Sequence, residues 1–477
     1  VYCKQEIEDY DGNPLIEALP AIYRESDVAR LLTRHRLVNP KHRNDSPEIR
    51  LHRIYNNILN FFQPLSPHLD LEQRISRMIR AAYLARNPAL SQYVGVSRKR
   101  LEAFKPGMKV SPCVQSAAMG FTLVGMPGMG KTTALIAILQ SLYPQVIEHV
   151  EYKNKPFTLM QLVWLKLECP SDGSIRGLCL NFLQAVDDIL GTTYYANYRR
   201  LTVDELVAQL PRIATNHSMG VLVIDEIQHL SQAKSGGAER MLNFFVQLVN
   251  IIGVPVVLVG TYKAMKILGS EFRQIRRAGG QGEFIWDCWE KDSSDWKILL
   301  ERLWQYQYVK HPIALTNDVR ETLYDLTQGI TDYLIKVFML AQFRAIETGH
   351  EKLKTEIMRS VAKDSLRQAA PVLDALRTKN YELLAHLKDT MPTDMEGLLE
   401  DAKRAVARAR RPGRGSLNGQ ALSKTIPAQL SLSEGDATEQ SNADEVPVKA
   451  VSKKLGGSKK NSRRAVVRTD QAKTGSV

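Results

Sequence analysis

The chain has 477 residues, 44% of them hydrophobic, a formal net charge of +13 and an isoelectric point near 9.4, so it is long enough for two or three domains and suits a polyanionic partner. Five scattered cysteines (Cys3, Cys113, Cys169, Cys179, Cys288) with no C-x-x-C pair exclude a disulfide scaffold and a zinc-ribbon class and fit a reducing cytoplasm. No apolar run approaches the roughly 18 residues that span a bilayer, and the opening VYCKQEIEDYDG is acidic where a signal peptide is basic and then apolar. Val1 in place of Met is what a processed or trimmed chain would show.

Residues 1–100 read as a helical N-terminal region broken by Pro40, Pro47, Pro64, Pro67 and Pro88, without a nucleotide motif. Stretches 55–62 and 71–84 place apolar residues at helical spacing, with Arg74, Arg77 and Arg80 between them. Two readings stand: a packing domain with a charged solvent face, and a docking surface for a partner protein or DNA.

Residues 101–291 carry the chemistry. The run FTLVGMPGMGKTT at 121–133 puts Gly125, Met126, Pro127, Gly128, Met129, Gly130, Lys131 and Thr132 into the pattern G-x-x-x-x-G-K-[ST], with Thr133 after it. Glycines let the backbone turn its N–H groups toward phosphates, Lys131 can reach the β/γ-phosphates of ATP, and the Thr132 hydroxyl can ligate Mg²⁺. An apolar strand (121–124) before the loop and an apolar helix (134–142) after it are the context this loop needs. Next come a strand in the second half of 158–167 and helices at 178–190 and 201–216. The strand VLVIDE at 221–226 ends in Asp225, placed to hold the Mg²⁺ shell, and Glu226, placed to activate an attacking water. A helix at 238–252 and a strand at 254–261 follow, and this alternation specifies a parallel sheet covered on both faces.

Thr261, at the end of its strand, stands where the sensor of AAA+ ATPases meets the γ-phosphate; a helix N-cap for residue 263 onward is an equally natural and compatible reading. Arg273, Arg276 and Arg277 precede a last strand at 284–289, the place from which an oligomeric AAA+ subunit projects a finger into its neighbour's site. A solvated basic helix end competes with that reading, and the sequence does not choose among the three. Helices at 296–308, 318–327, 332–347, 353–369 and 371–387 make residues 292–391 a helical lid, in which Lys336 and Arg344 read first as solvated bases on an apolar-faced helix and second as contacts to ATP. Residues 392–477 lack a packed-core pattern and end in a basic run, so they read as a disordered tail that can grip DNA phosphates or fold on a protein partner, with a merely solvated tail as the competing reading.

Together GMPGMGKTT (125–133), LVIDEIQHL (222–230), LVGTYKA (258–264) and EFRQIRRAGGQGEF (271–284) closely resemble the TnsC family, the AAA+ regulators of heteromeric DNA transposons, with the TniB proteins as relatives. The resemblance covers roughly 101–391. It implies ATP-bound subunits that assemble as a ring or helical filament around duplex DNA without sequence preference. It further implies a link between a target selector of TnsD/TniQ type and a transposase of TnsA/TnsB type, with hydrolysis driving disassembly, in a bacterial, nucleoid-associated setting. Lys131, Thr132, Asp225, Glu226 and Thr261 match functional positions of the family, and the finger falls within Arg273 to Arg277. Family DNA contacts lie between the phosphate-loop helix and the Asp-Glu strand, which here points to Lys153, Lys155, Thr158 and Arg176. No recognition helix or zinc finger argues for sequence-specific binding.

Two other classes compete. A small-molecule kinase is disfavoured because Asp225 and Glu226 suit a water rather than an acceptor alcohol. A helicase loader or signalling ATPase, which assembles protein instead of coating DNA, would share every Walker and finger residue, so only the family blocks and the basic charge set it second.

Overall fold

The computed structural model describes residues 2–34, 38–103, 120–233, 237–264 and 282–380, and the backbone of 464–467. Among these residues there are eight strands: β1 (Phe121–Gly125), β2 (Val146–Tyr152), β3 (Lys155–Leu162), β4 (Trp164–Glu168), β5 (Val221–Asp225), β6 (Val256–Gly260), β7 (Glu283–Trp286) and β8 (Arg464–Val467). Five of them form a parallel sheet in the order β4-β5-β6-β1-β7. Every residue of β1, β5 and β6 is buried, as expected of central strands whose apolar runs are covered on both faces. This order brings the carboxyl ends of β1, β5 and β6 together, and the site is built there.

The strand expected in the second half of 158–167 is β4, and what the sequence reading lacks is the pair of strands before it. β2 and β3 pair as an antiparallel hairpin, and β4 follows after one residue in the main sheet. The hairpin turns on Lys153 and Asn154, both left-handed at φ 50° and 61°, the geometry of a two-residue I′ turn. Lys-Asn gives a weaker turn signal than Asn-Gly, which is why the sequence reading passes over it. β8 adds in parallel to the other edge of β2; the rest of the 392–477 tail lies outside the described residues.

Residues before 100, set apart in the sequence reading, share one apolar core with the sheet and the lid: Leu15, Ile54 and Ile75 cluster with Leu123, Ile138 and Phe338. Helix Ser66–Leu84 is anchored by Tyr83, whose hydroxyl donates to the Ser218 carbonyl at 3.0 Å. Helix Pro47–Leu59 is locked to the lid by Arg50, which is fully buried and donates to both oxygens of Glu351 and to the Tyr308 carbonyl. The extreme N-terminus packs on the hairpin, where Tyr2 and Gln161 bracket His149 at 2.8 and 2.7 Å. The described part of the lid comprises helices Ser294–Trp304, Asn317–Thr327, Thr331–Glu347, Thr355–Ser365 and Ala370–Arg377, and residues 381–391 lie outside the described residues. No helix among the described residues is long and apolar enough to cross a membrane. Burial pushes the thiols of Cys169, Cys179 and Cys288 up to about 12, which keeps them protonated packing groups; Cys3 is exposed and Cys113 lies outside the described residues.

Candidate active site

Between β1 and helix Lys131–Leu142, Gly128 and Gly130 adopt φ 78° and 91°, a conformation that a side chain resists. The loop thereby closes over the Lys131 ammonium, which donates to the carbonyls of Gly125 at 3.0 Å and Met126 at 2.8 Å. Pro127, Gly128, Met129, Gly130, Lys131, Thr132 and Thr133 line a cavity of about 770 Å³ together with Asp225, Glu226 and Thr261. That volume suits a nucleotide-sized ligand. The motifs predicted for phosphate, metal and water thus converge on one space.

Thr132 Oγ1 donates to Asp225 Oδ2 at 2.9 Å. A hydroxyl and a carboxylate side by side fit Mg²⁺, which takes few protein oxygens and completes its shell with phosphates and water; among the described residues no cluster of three or more acids, histidines or cysteines exists to hold a metal by itself. Lys166, on β4, reaches the same Oδ2 at 3.1 Å and Glu168 at 3.3 Å. The sequence reading missed it, although alternation along Trp164–Glu168 puts Lys166 and Glu168 on one face.

Glu226 is left-handed at φ 56°, a conformation that costs a non-glycine residue about 1–3 kcal/mol. Its N–H donates to Asp225 Oδ1 at 3.0 Å, and its carboxylate accepts from Gln228. Thr261 is buried at the end of β6, with helical residues starting at Tyr262, so it holds the N-cap position and faces the cavity at once. Arg273, Arg276 and Arg277 lie outside the described residues.

Two further walls were not read from the sequence. Phe61, Phe62, Gln63, Leu65 and His68 bring an apolar lining from the N-terminal region. Their signal was the run Phe-Phe-Gln-Pro-Leu-Ser-Pro, where helical spacing stops between Leu59 and Ser66. His68 packs edge-on against Phe62 and Trp286 and accepts the Leu65 N–H at 3.0 Å; burial lowers its pKa to about 4, so it is neutral at physiological pH. From the lid, the Asp332 N–H donates to the Gly128 carbonyl at 2.9 Å, and Lys336 is buried in the lining and paired with Asp332 at 2.7 Å. Lys336 is therefore not the solvated base its helical pattern suggested, whereas Arg344 pairs with Asp364 at 3.0 Å, away from the lining.

Lys153, Lys155 and Thr158 are all exposed on the β2–β3 hairpin. Arg176 does not join them. It sits in the first turn of helix Ile175–Leu190, where its guanidinium donates to the carbonyls of Arg199 at 2.6 Å and Leu201 at 2.7 Å. Those bonds tie down the chain between two helices, a structural task for the side chain.

Residues 115–268 match the family described as AAA domain. The fold is that of an AAA+ P-loop NTPase. Among solved structures the chain is similar to the ORC2 protein of Aeropyrum pernix in ADPNP–ADP complexes (12% identity, 66% of this chain and 84% of that one, TM-score 0.34). It is also similar to a Walker-type ATPase of Pyrococcus abyssi (14%, 67% and 91%, TM-score 0.35) and to Cdc6p from Pyrobaculum aerophilum (16%, 68% and 80%, TM-score 0.37). No curated protein matches the sequence.

Proposed function

We propose that the protein is an ATP-hydrolysing regulator of DNA transposition: ATP-bound copies assemble on duplex DNA, connect a TnsD/TniQ-type target selector to a TnsA/TnsB-type transposase, and separate on hydrolysis. The observation that supports this most is the convergence of Lys131, Thr132, Asp225, Glu226 and Thr261 on one cavity, all within the sequence blocks that carry the TnsC resemblance. Lys131 leaves the loop carbonyls to bind the β/γ-phosphates, and Lys336 adds a lid charge to the same anion. Thr132 and Asp225 would hold Mg²⁺, which would supply positive charge against the phosphates. Glu226 orients the attacking water and takes its proton, and Thr261 holds that water beside the γ-phosphate. An arginine from Arg273, Arg276 or Arg277 of a neighbouring copy completes the site in trans. On the outer surface, Lys153 and Lys155 pair with phosphates and Thr158 adds a hydrogen bond, contacts that position DNA without reading its sequence.

Negative-stain electron microscopy with a non-hydrolysable ATP analogue, with and without an unrelated duplex, tests the reading. Rings or filaments that need both nucleotide and duplex are the expected result. Nucleotide-dependent particles indifferent to DNA would favour a loader or signalling ATPase, and monomers under all conditions would remove the in-trans finger.

A further inference from the structure

Gln228 lies in the cavity wall two residues beyond Glu226. Its Nε2 donates to Glu226 Oε2, and its Oε1 accepts the backbone N–H of Thr261 at 3.2 Å. The Thr261 partner fixes which way the amide faces, because a backbone N–H only donates and so takes the amide oxygen, leaving the NH₂ for Glu226. The fit depends on Gly260: a Cβ there would lie 2.7 Å from Gln228 Oε1 and 2.8 Å from Ile227 Cγ2. One side chain therefore joins the left-handed Glu226 on one strand end to the residue that follows the neighbouring strand.

We propose that Gln228 is a positioning residue that couples Glu226 to Thr261, so that a shift of Thr261 on engagement of the γ-phosphate is passed through the amide to the water-activating carboxylate. The proposal rests on the ATPase reading above. Glu226 lies on a strained turn and its carboxylate is held from the side by this amide; a glutamine that only filled space would leave that carboxylate unaffected when replaced by an apolar residue of similar length.

The test is steady-state ATP hydrolysis by the full chain with duplex DNA across about pH 5.5 to 9, for wild type, Gln228→Met and Gln228→Glu, with Glu226→Gln as control. Gln228→Met keeps the volume but removes both hydrogen bonds. It is expected to lower kcat about 10- to 100-fold, the size seen when an outer partner of a catalytic ligand is lost, with KM for ATP within about twofold. Gln228→Glu sets two carboxylates against each other, and they then share a titration. Once the introduced carboxyl is protonated it can again donate to Glu226, so the rate maximum of this variant moves toward acid pH relative to wild type. A wild type that turns over with Gln228→Met at the same kcat, or with kcat and KM impaired together and a lowered Tm, or with an unshifted Gln228→Glu profile, would overturn the coupling and leave the ATPase reading standing. Absent wild-type turnover, or turnover indifferent to Glu226→Gln, would overturn both.

Discussion

The polar and apolar linings of the cavity are assembled by different rules. Lys131, Thr132, Asp225, Glu226 and Thr261 sit on or beside the carboxyl ends of three adjacent strands, and each belongs to a short block with fixed spacing. Phe61, Phe62, Leu65 and His68 come from a segment before the sheet begins, and Leu299 and Ile335 from the lid. Phosphate and metal chemistry needs backbone N–H groups, an ammonium and a carboxylate at set distances, which only a short rigid motif supplies. An apolar wall needs shape and volume, and any segment the fold brings near can provide it.

Breaking the polar side should have the largest effect. Lys131→Ala removes an ammonium that makes charge-assisted bonds of about 1.5–3 kcal/mol each, so ATP and inorganic tripolyphosphate should both bind at least about 100-fold more weakly in a calorimetric titration, and nucleotide-dependent assembly should disappear. If tripolyphosphate bound as before, Lys131 would not be a phosphate ligand. Glu226→Gln sharpens the comparison from within: hydrolysis measured by phosphate release should fall about 100-fold or more, while ATP affinity stays unchanged and assemblies on DNA persist. Disassembly at the wild-type rate would refute the role given to Glu226.

The same contrast decides what was legible in the sequence. The parallel sheet, its strand ends and the phosphate loop could be read because apolar runs and glycine spacing are local properties. Gln228 could not be read as a link to Thr261, since the contact depends on β5 and β6 being neighbours and on the space above Gly260. Lys336 was misjudged because helical spacing shows which face is apolar but not that a base on that helix will be buried against Asp332 and the cavity. Arg176, which the family resemblance puts in the same zone as the hairpin lysines, also holds the carbonyls of Arg199 and Leu201, a contact between distant segments that no local pattern shows.

The apolar side depends on how the N-terminal segment is held. Arg50 is fully buried and joins helix Pro47–Leu59 to Glu351 in the lid; the Glu351 pKa is pushed up by burial but lowered overall by the Arg50 hydrogen bond and charge. Removing one member of a buried pair costs about 3–5 kcal/mol, so Arg50→Met should lower unfolding stability by about 3 kcal/mol in a urea titration. A change under about 0.5 kcal/mol, the size of an ordinary surface substitution, would mean that this joint does not hold the N-terminal segment against the lid.

The smallest effect should come from the wall itself. Phe62 is buried, packs edge-on against His68 with ring centres 5.0 Å apart, and lines the cavity. Phe62 offers the ligand only the part of its ring that faces the cavity, and apolar contact is worth roughly 25 cal/mol per Å², so Phe62→Ala should weaken ATP binding by about tenfold or less. Tripolyphosphate affinity should not change, because the ammonium and loop that bind it are untouched. Lys131→Ala and Phe62→Ala therefore make opposite predictions for the ratio of the two affinities, constant in the first and reduced in the second. Equal weakening of both ligands by Phe62→Ala would mean that this wall does not touch the part of ATP beyond its phosphates, and would leave Phe62 as packing against His68.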